Sequence, residues 1–234
     1  MNSTLLKQCV AEFVGTFTLI FIGVGVIANN IPTAGVGLLG VALAHGLAIA
    51  VMVTATGAIS GGQLNPAVTF GLLVGGQMDL KKSIAYWISQ LAGATAAAVL
   101  CGALIGAAQV AGGTPDIGMK ISMSDASMMV PAVTTGQAIT IEAVLTFFLV
   151  FVVYGSAVDA RAPKVGGLAI GLTVALDILF GGPLTGAAMN PARTFGPALV
   201  SGHWNNHIVY WVGPLLGGAI AGLIYGRFLI KETK

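Results

Sequence analysis

Six stretches of this chain, residues 6–28, 36–56, 83–109, 137–158, 165–181 and 208–230, are apolar over lengths that cross a bilayer and carry few charges. A helix rises about 1.5 Å per residue, so roughly 20 apolar residues traverse a hydrocarbon core about 30 Å thick. With 234 residues in all, six spans and short connections leave no room for a sizeable domain outside the membrane. The composition agrees: 56% hydrophobic residues against 8% charged, with a mean hydropathy of +0.93, where a soluble domain carries about 25% charged residues. The first run is too long and Gly-rich for a signal peptide and has no convincing cleavage site after it. Two further apolar segments, 60–76 and 183–202, are too short to cross and read as re-entrant. A net charge of +2 gives no reason to expect a nucleic-acid partner. Cys9 and Cys101 both sit in apolar runs and read as packing residues, with no disulfide framework and no implication for redox compartment.

With six spans, Lys7, Lys81, Lys82, Arg161, Lys164, Arg227, Lys231 and Lys234 fall on one side of the membrane, which the positive-inside rule makes cytoplasmic, along with both termini. Lys120 falls outside, in a long loop over 110–134 with Asp116, Asp125 and Pro131. Arg193 lies in the second re-entrant segment and needs its own explanation.

The chain repeats itself. Glu12-Phe-Val-Gly-Thr16-Phe17 returns as Glu142-Ala-Val-Leu-Thr146-Phe147, and Asn65-Pro66-Ala67-Val-Thr69-Phe70-Gly71 as Asn190-Pro191-Ala192-Arg193-Thr194-Phe195-Gly196, at nearly equal offsets. The duplication divides the chain into a first repeat over 1–110, an external connection over 111–134 and a second repeat over 135–234. Each repeat holds three spans, an odd number, so the second enters the bilayer from the opposite face. The expected fold is an all-α membrane protein with six transmembrane helices and two re-entrant half-helices in an inverted 3+3 repeat.

Asn followed by Pro starts a helix, with Asn as N-cap and Pro at the first helical position. Two half-helices of about ten residues, meeting start to start, cover the core between them. Non-helical backbone at mid-membrane is tolerated only beside protein or a watery cavity, so the meeting point implies a pore or binding site. Each helix start carries roughly half a positive charge, which disfavours cations there. The carboxamides of Asn65 and Asn190 can donate to one passing oxygen and interrupt a proton wire. Arg193 on the first turn adds a full charge and is best placed facing water.

Other features admit plainer readings. Glu12 and Glu142 suit structural acceptors for loop amides better than catalysis. Asp177, the one ionisable residue in span five, fits a buried hydrogen bond or transport coupling. His203 and His207 have ligand spacing but no third ligand, which favours a solvated face. Gly23 and Gly25 follow no strand and do not make a phosphate loop. Gly93 with Ala97, and the glycines at 213, 217, 218, 222 and 226, fit close helix packing.

The two Asn-Pro-Ala boxes, the Ala11-Glu12-Phe13-Val14-Gly15-Thr16 opening and the Met189–Pro197 stretch resemble the aquaporins of the major intrinsic protein family over essentially the whole chain. The resemblance implies a pore in every subunit of a homotetramer, with no cofactor and no metal. It also implies an outer constriction, a selectivity filter, at His45, Ile178, Ala187 and Arg193. A histidine from span two facing an aliphatic residue is similar to plant tonoplast channels and their ammonia-conducting relatives. Thr194, Ala198 and Tyr210-Trp211 resemble the water-selective branch, which disfavours glycerol. Gln63 stands where a His is common, which puts a pH response of that loop in doubt, and Ala187 where mercury-sensitive members have Cys.

The expected function is a passive channel for water, with ammonia and also hydrogen peroxide or urea as further permeants, excluding protons and ions. An ion-coupled secondary transporter is the alternative, since inverted repeats also build transporters. An enzyme is disfavoured because no nucleophile, base or metal set is present. The short charged tails point to a plasma membrane.

Overall fold

The computed structural model describes residues 3–29, 35–118, 132–163 and 165–230. Every regular element among them is helical. In chain order these are α1 (Ser3–Ala28), α2 (Gly37–Ser60), α3 (Pro66–Val74), α4 (Leu80–Ile105), α5 (Ala107–Gly113), α6 (Thr135–Val153), α7 (Gly166–Thr185), α8 (Pro191–Ser201) and α9 (Val209–Ala221). α6 and α9 continue as π-helical turns over Tyr154–Val158 and Gly222–Leu229. Among the described residues six helices are long and apolar enough to cross a membrane: α1, α2, α4, α6, α7 and α9, with α6 and α9 counted together with their π-helical continuations. α3 and α8, with 9 and 11 residues, are the half-helices. At about 1.5 Å per residue they add up to roughly the thickness of the hydrocarbon core.

The boundaries differ from the sequence reading where a backbone geometry, not hydrophobicity, ends the helix. α2 runs on past 56 to Ser60 and stops at Gly61, in the left-handed region at φ 95°. α7 passes through Pro183, read from sequence as the start of the next segment, and stops at Gly186, φ 80°. Proline there removes one hydrogen bond in the last turn, whereas a left-handed C-cap glycine redirects the whole chain. The third span ends at Ile105 rather than 109, because Gly106 takes φ 96° and ψ 151° and restarts the chain as α5. The loop expected from 110 thus opens as helix. Lys120, Asp125, Pro131, Lys164, Lys231 and Lys234 lie outside the described residues.

Packing follows the duplication. α1 lies against α4 and α6 against α9, while α2 and α7 form the seam between the halves. Each half-helix reaches across: α3 packs on α9 and α8 on α4. Small residues allow the close approach. A Cβ on Gly93 would lie 2.4 Å from the Phe13 carbonyl oxygen, and one on Gly217 would lie 2.0 Å from that of Ala143. These are repeat-equivalent contacts in which helix backbones touch. The outward faces carry Leu47, Ile88, Leu176 and Phe180, each more than half exposed, an arrangement that suits lipid and not water.

Candidate pore

The two half-helices begin on the same local chemistry. Asn65 is extended, at φ −158°, and its Oδ1 accepts from the Ala67 amide at 2.8 Å, with Pro66 in the first helical position. Asn190 accepts from the amides of Ala192 and Arg193 at 3.0 and 3.3 Å, with Pro191 in the matching place. The remaining donor of each side chain crosses to the other half. Asn65 Nδ2 donates to the Met189 carbonyl at 2.8 Å and Asn190 Nδ2 to the Leu64 carbonyl at 3.0 Å. One amide hydrogen per asparagine is thereby used, which leaves one apiece for a permeant.

Leu64 and Met189 hold these carbonyls in place at φ 55° and 51°, a left-handed conformation that costs a side-chain-bearing residue about 1 kcal/mol or more. Two buried carboxylates hold the loops in it. Glu12 accepts from Ser60 Oγ (2.6 Å), the amides of Gln63 (3.0 Å) and Leu64 (2.6 Å), and Gln90 Nε2 (2.8 Å). Glu142 accepts from Thr185 Oγ1 (2.7 Å) and the amides of Ala188 (3.0 Å) and Met189 (2.7 Å). Tyr86 and Tyr210 complete the correspondence by donating to the carbonyls of Ser60 and Thr185 at 2.7 and 2.8 Å. Tyr86 is not among the residues singled out from sequence, and Tyr210 is there only as a mark of the water-selective branch, not as a support for the loop. The signal for their pairing was present, in that they stand 124 residues apart, one fewer than the 125 between the Asn-Pro-Ala boxes.

A single cavity brings together Asn65, Asn190, His45, Ile178, Ala187 and Arg193. Its walls are otherwise largely apolar, with Leu19 facing its repeat-equivalent Leu149, and with Gln63 adding a polar group next to Asn65. The space open to the centres of water-sized spheres is about 30 Å³, against roughly 10–15 Å³ needed for one water. The cavity has room for about two or three water molecules at a time.

Arg193 is buried, and its Nη1 donates to the Gly113 carbonyl at 3.0 Å. That carbonyl belongs to the end of α5, so the short helix unseen in sequence supplies the arginine's anchor. His45 is also buried and its Nδ1 lies 2.8 Å from the Val41 carbonyl, one turn back.

Other candidates lie elsewhere. Asp177 is buried outside this cavity, in a groove between α6 and α7 with Phe148, Phe151 and Phe180, and its Oδ2 has no partner. His203 pairs with Asp116 at 2.9 Å, whose other oxygen accepts from Asn206 at 2.8 Å. His207 accepts from Trp211 Nε1 at 3.1 Å and packs edge-on to Trp204. The two histidines therefore occupy separate contacts instead of one solvated face. No group of three or more potential metal ligands occurs among the described residues. Cys9 and Cys101 are buried free thiols.

Residues 1–225 match the family model of the Major intrinsic protein. Among curated relatives, Aquaporin TIP4-1 of Arabidopsis thaliana is 45% identical over 97% of this chain and 88% of its own. Aquaporin TIP4-4 of Zea mays is 44% identical over 97% and 88%. Probable aquaporin TIP3-2 of Arabidopsis thaliana is 40% identical over 97% and 85%. The aquaglyceroporin of Plasmodium falciparum superimposes with a TM-score of 0.80 at 24% identity, over 96% of this chain and 97% of that one, which is a likeness of fold. With six spans, two half-helices and these relatives, the chain belongs to the major intrinsic protein family, as a multi-pass membrane channel of the aquaporin kind and not an enzyme.

Proposed function

We propose that this aquaporin conducts water passively through the cavity between its half-helices, and that its outer constriction also admits ammonia. The observation that carries this is one narrow cavity lined by both N-cap asparagines and by Arg193. In this reading Asn65, Pro66 and Ala67 with Asn190, Pro191 and Ala192 form the central constriction. A water passing there accepts from the free amide hydrogen of each asparagine and turns its own hydrogens away from its neighbours, which breaks the proton wire. The half-helix starts and Arg193 repel cations by charge. His45, Ile178, Ala187 and Arg193 form the outer constriction. The small Ala187 and aliphatic Ile178 make it less uniformly polar than a ring of hydrogen-bonding groups, which supports ammonia, and urea or hydrogen peroxide after it.

The repeats over 1–110 and 135–234, joined through 111–134, serve as the two halves of the pore, each contributing one half-helix and one carboxylate, Glu12 or Glu142. We place both termini on the cytoplasmic side, from the basic residues at the starts of α1 and α4 and between α6 and α7. A homotetramer with a pore in each subunit fits the family and the apolar outer faces. The TIP-type relatives lend no support to a plasma-membrane location. Coupled transport loses its motivating residue, because Asp177 does not line the cavity.

Stopped-flow measurement in proteoliposomes tests the reading. Water flux with a low activation energy, ammonia entry above bare lipid and little glycerol entry are expected. Water flux no greater than that of empty vesicles would refute it.

A further inference from the structure

We propose that Gly23 on α1 is a specificity-determining residue of the outer constriction, because the missing side chain makes room for the tip of the His45 imidazole. The proposal rests on the reading of His45 as a constriction residue.

α1 turns one face to the cavity. Leu19 lines it, and Gly23 follows one turn later on the same face. From α2 the His45 ring reaches towards that point. Its Nδ1 stands 2.8 Å from the Val41 carbonyl, and a carbonyl only accepts, so Nδ1 carries the hydrogen and Nε2 is left a bare acceptor. Nε2 is buried and has no hydrogen-bond partner. A Cβ built on Gly23 would stand 2.4 Å from Nε2, 2.9 Å from Cδ2 and 3.2 Å from Cε1. The ring therefore meets α1 end-on, with its polar tip against the glycine and not turned into the lumen.

A methyl group at position 23 cannot share that space. α1 is held from behind, by Gly93 against the Phe13 carbonyl and by Val24, fully buried, against Gly113. The imidazole is the movable partner, at the end of a side chain with two rotatable bonds. Tethered at Nδ1, it has open space in the cavity it shares with Ile178, Ala187 and Arg193. Displaced that way, it narrows the passage and brings the Nε2 acceptor into it. Glycine at 23 thus sets where the ring stands, and the position of the ring sets the aperture.

The test compares wild type, Gly23→Ala, His45→Ala and the double variant in proteoliposomes, with stopped-flow water flux and ammonia and urea entry as readouts. Alanine is a better helix former than glycine, so any deficit in Gly23→Ala arises from contacts and not from α1 itself. Expected is a several-fold fall in the ammonia-to-water and urea-to-water ratios in Gly23→Ala, with no further change when the same substitution is made in His45→Ala. If Gly23→Ala fails to assemble but the double variant assembles, the imidazole is the group it strikes, which supports the proposal. Failure of both, or wild-type ratios in Gly23→Ala, overturns it. Wild-type ratios in His45→Ala would instead defeat the assignment of His45 to the constriction, so the two failures are separable.

Discussion

Asn65 and Asn190 each donate a side-chain hydrogen bond to the residue that precedes the other, to the Met189 carbonyl at 2.8 Å and the Leu64 carbonyl at 3.0 Å. The two half-helices are thereby tied to each other's loops at the point where neither continues. Each asparagine also caps its own helix, so one side chain satisfies orphan donors on one half and a buried acceptor on the other. Asn65→Ala removes both functions. Losing the cap costs about 1 kcal/mol, and leaving the Met189 carbonyl unsatisfied costs about 1–3 kcal/mol more. Thermal unfolding in detergent should show a clear drop in the midpoint. An unchanged midpoint would mean that water replaces the asparagine on both sides.

Much of this layout is legible in the sequence because the signals are local. Hydrophobic length identifies the spans, and Asn-Pro identifies the half-helix starts, since capping depends only on neighbouring residues. What escapes is set by backbone conformation or by contacts between distant segments. Gly106 ends the third span through its φ and ψ, and nothing in the apolar run around it announces this. The Gly113 carbonyl beside Arg193 carries no side-chain signature at all. His45 can be placed by counting, but the direction of its ring depends on Gly23, which lies on another helix.

The two carboxylates should respond unequally to neutralisation. In Glu142, one oxygen accepts from Thr185 and Ala188 and the other from Met189 alone. Glu142→Gln can keep its carbonyl oxygen on the first pair and forfeit one bond. In Glu12 both oxygens accept twice, the first from Ser60 and Gln63 and the second from Leu64 and Gln90. With its partners held as they stand, Glu12→Gln forfeits two. Hydrogen bonds to a charged acceptor contribute about 1.5–3 kcal/mol each, so Glu12→Gln should destabilise roughly twice as much. Denaturation of the two variants side by side checks the order, and a larger loss for Glu142→Gln would contradict it.

Asp177 offers a test of coupling. It sits between α6 and α7 beside phenylalanines, away from the conducting cavity. Asp177→Asn keeps its shape and removes its capacity to carry charge. Water flux should stay at the wild-type value and remain indifferent to a proton gradient. A flux that falls, or a gradient dependence that disappears with the substitution, would restore the transporter reading.

Acid should loosen the connection outside the membrane between the segment after α5 and the segment after α8. Burial alone would raise the Asp116 carboxyl, but hydrogen bonds from Asn206, from the Ile117 amide and from His203 outweigh it and bring the group below the usual carboxylate range. A carboxyl depressed by folding stabilises the folded state above its unfolded value, near 4, and the contribution fades as pH falls through the folded value. For a pair this exposed the contribution is about 1 kcal/mol at most. Asp116→Asn should lower the unfolding midpoint slightly at neutral pH and flatten its decline below about pH 4. The same acid-side slope in the variant and the wild type would assign that slope to other groups.

Arg193 and the half-helix ends both repel cations, and they can be separated. The ends contribute about half a unit charge each, and the guanidinium contributes a full one close to His45 and Ile178. Arg193→Val removes about half of that positive charge and releases the Gly113 carbonyl, while Asn65 and Asn190 keep their caps and cross-connections, which involve no side-chain atom of Arg193. Water should still pass, since the asparagine donors that meet it are untouched and the opening is wider. Proton and small-cation leak should rise measurably, because only the helix ends then oppose them. Pyranine-loaded proteoliposomes under a pH gradient report the leak, and osmotic shrinkage in the same batch reports the water. A leak equal to wild type would show that the opposed helix ends and the two asparagines exclude protons unaided, leaving Arg193 to select among neutral solutes.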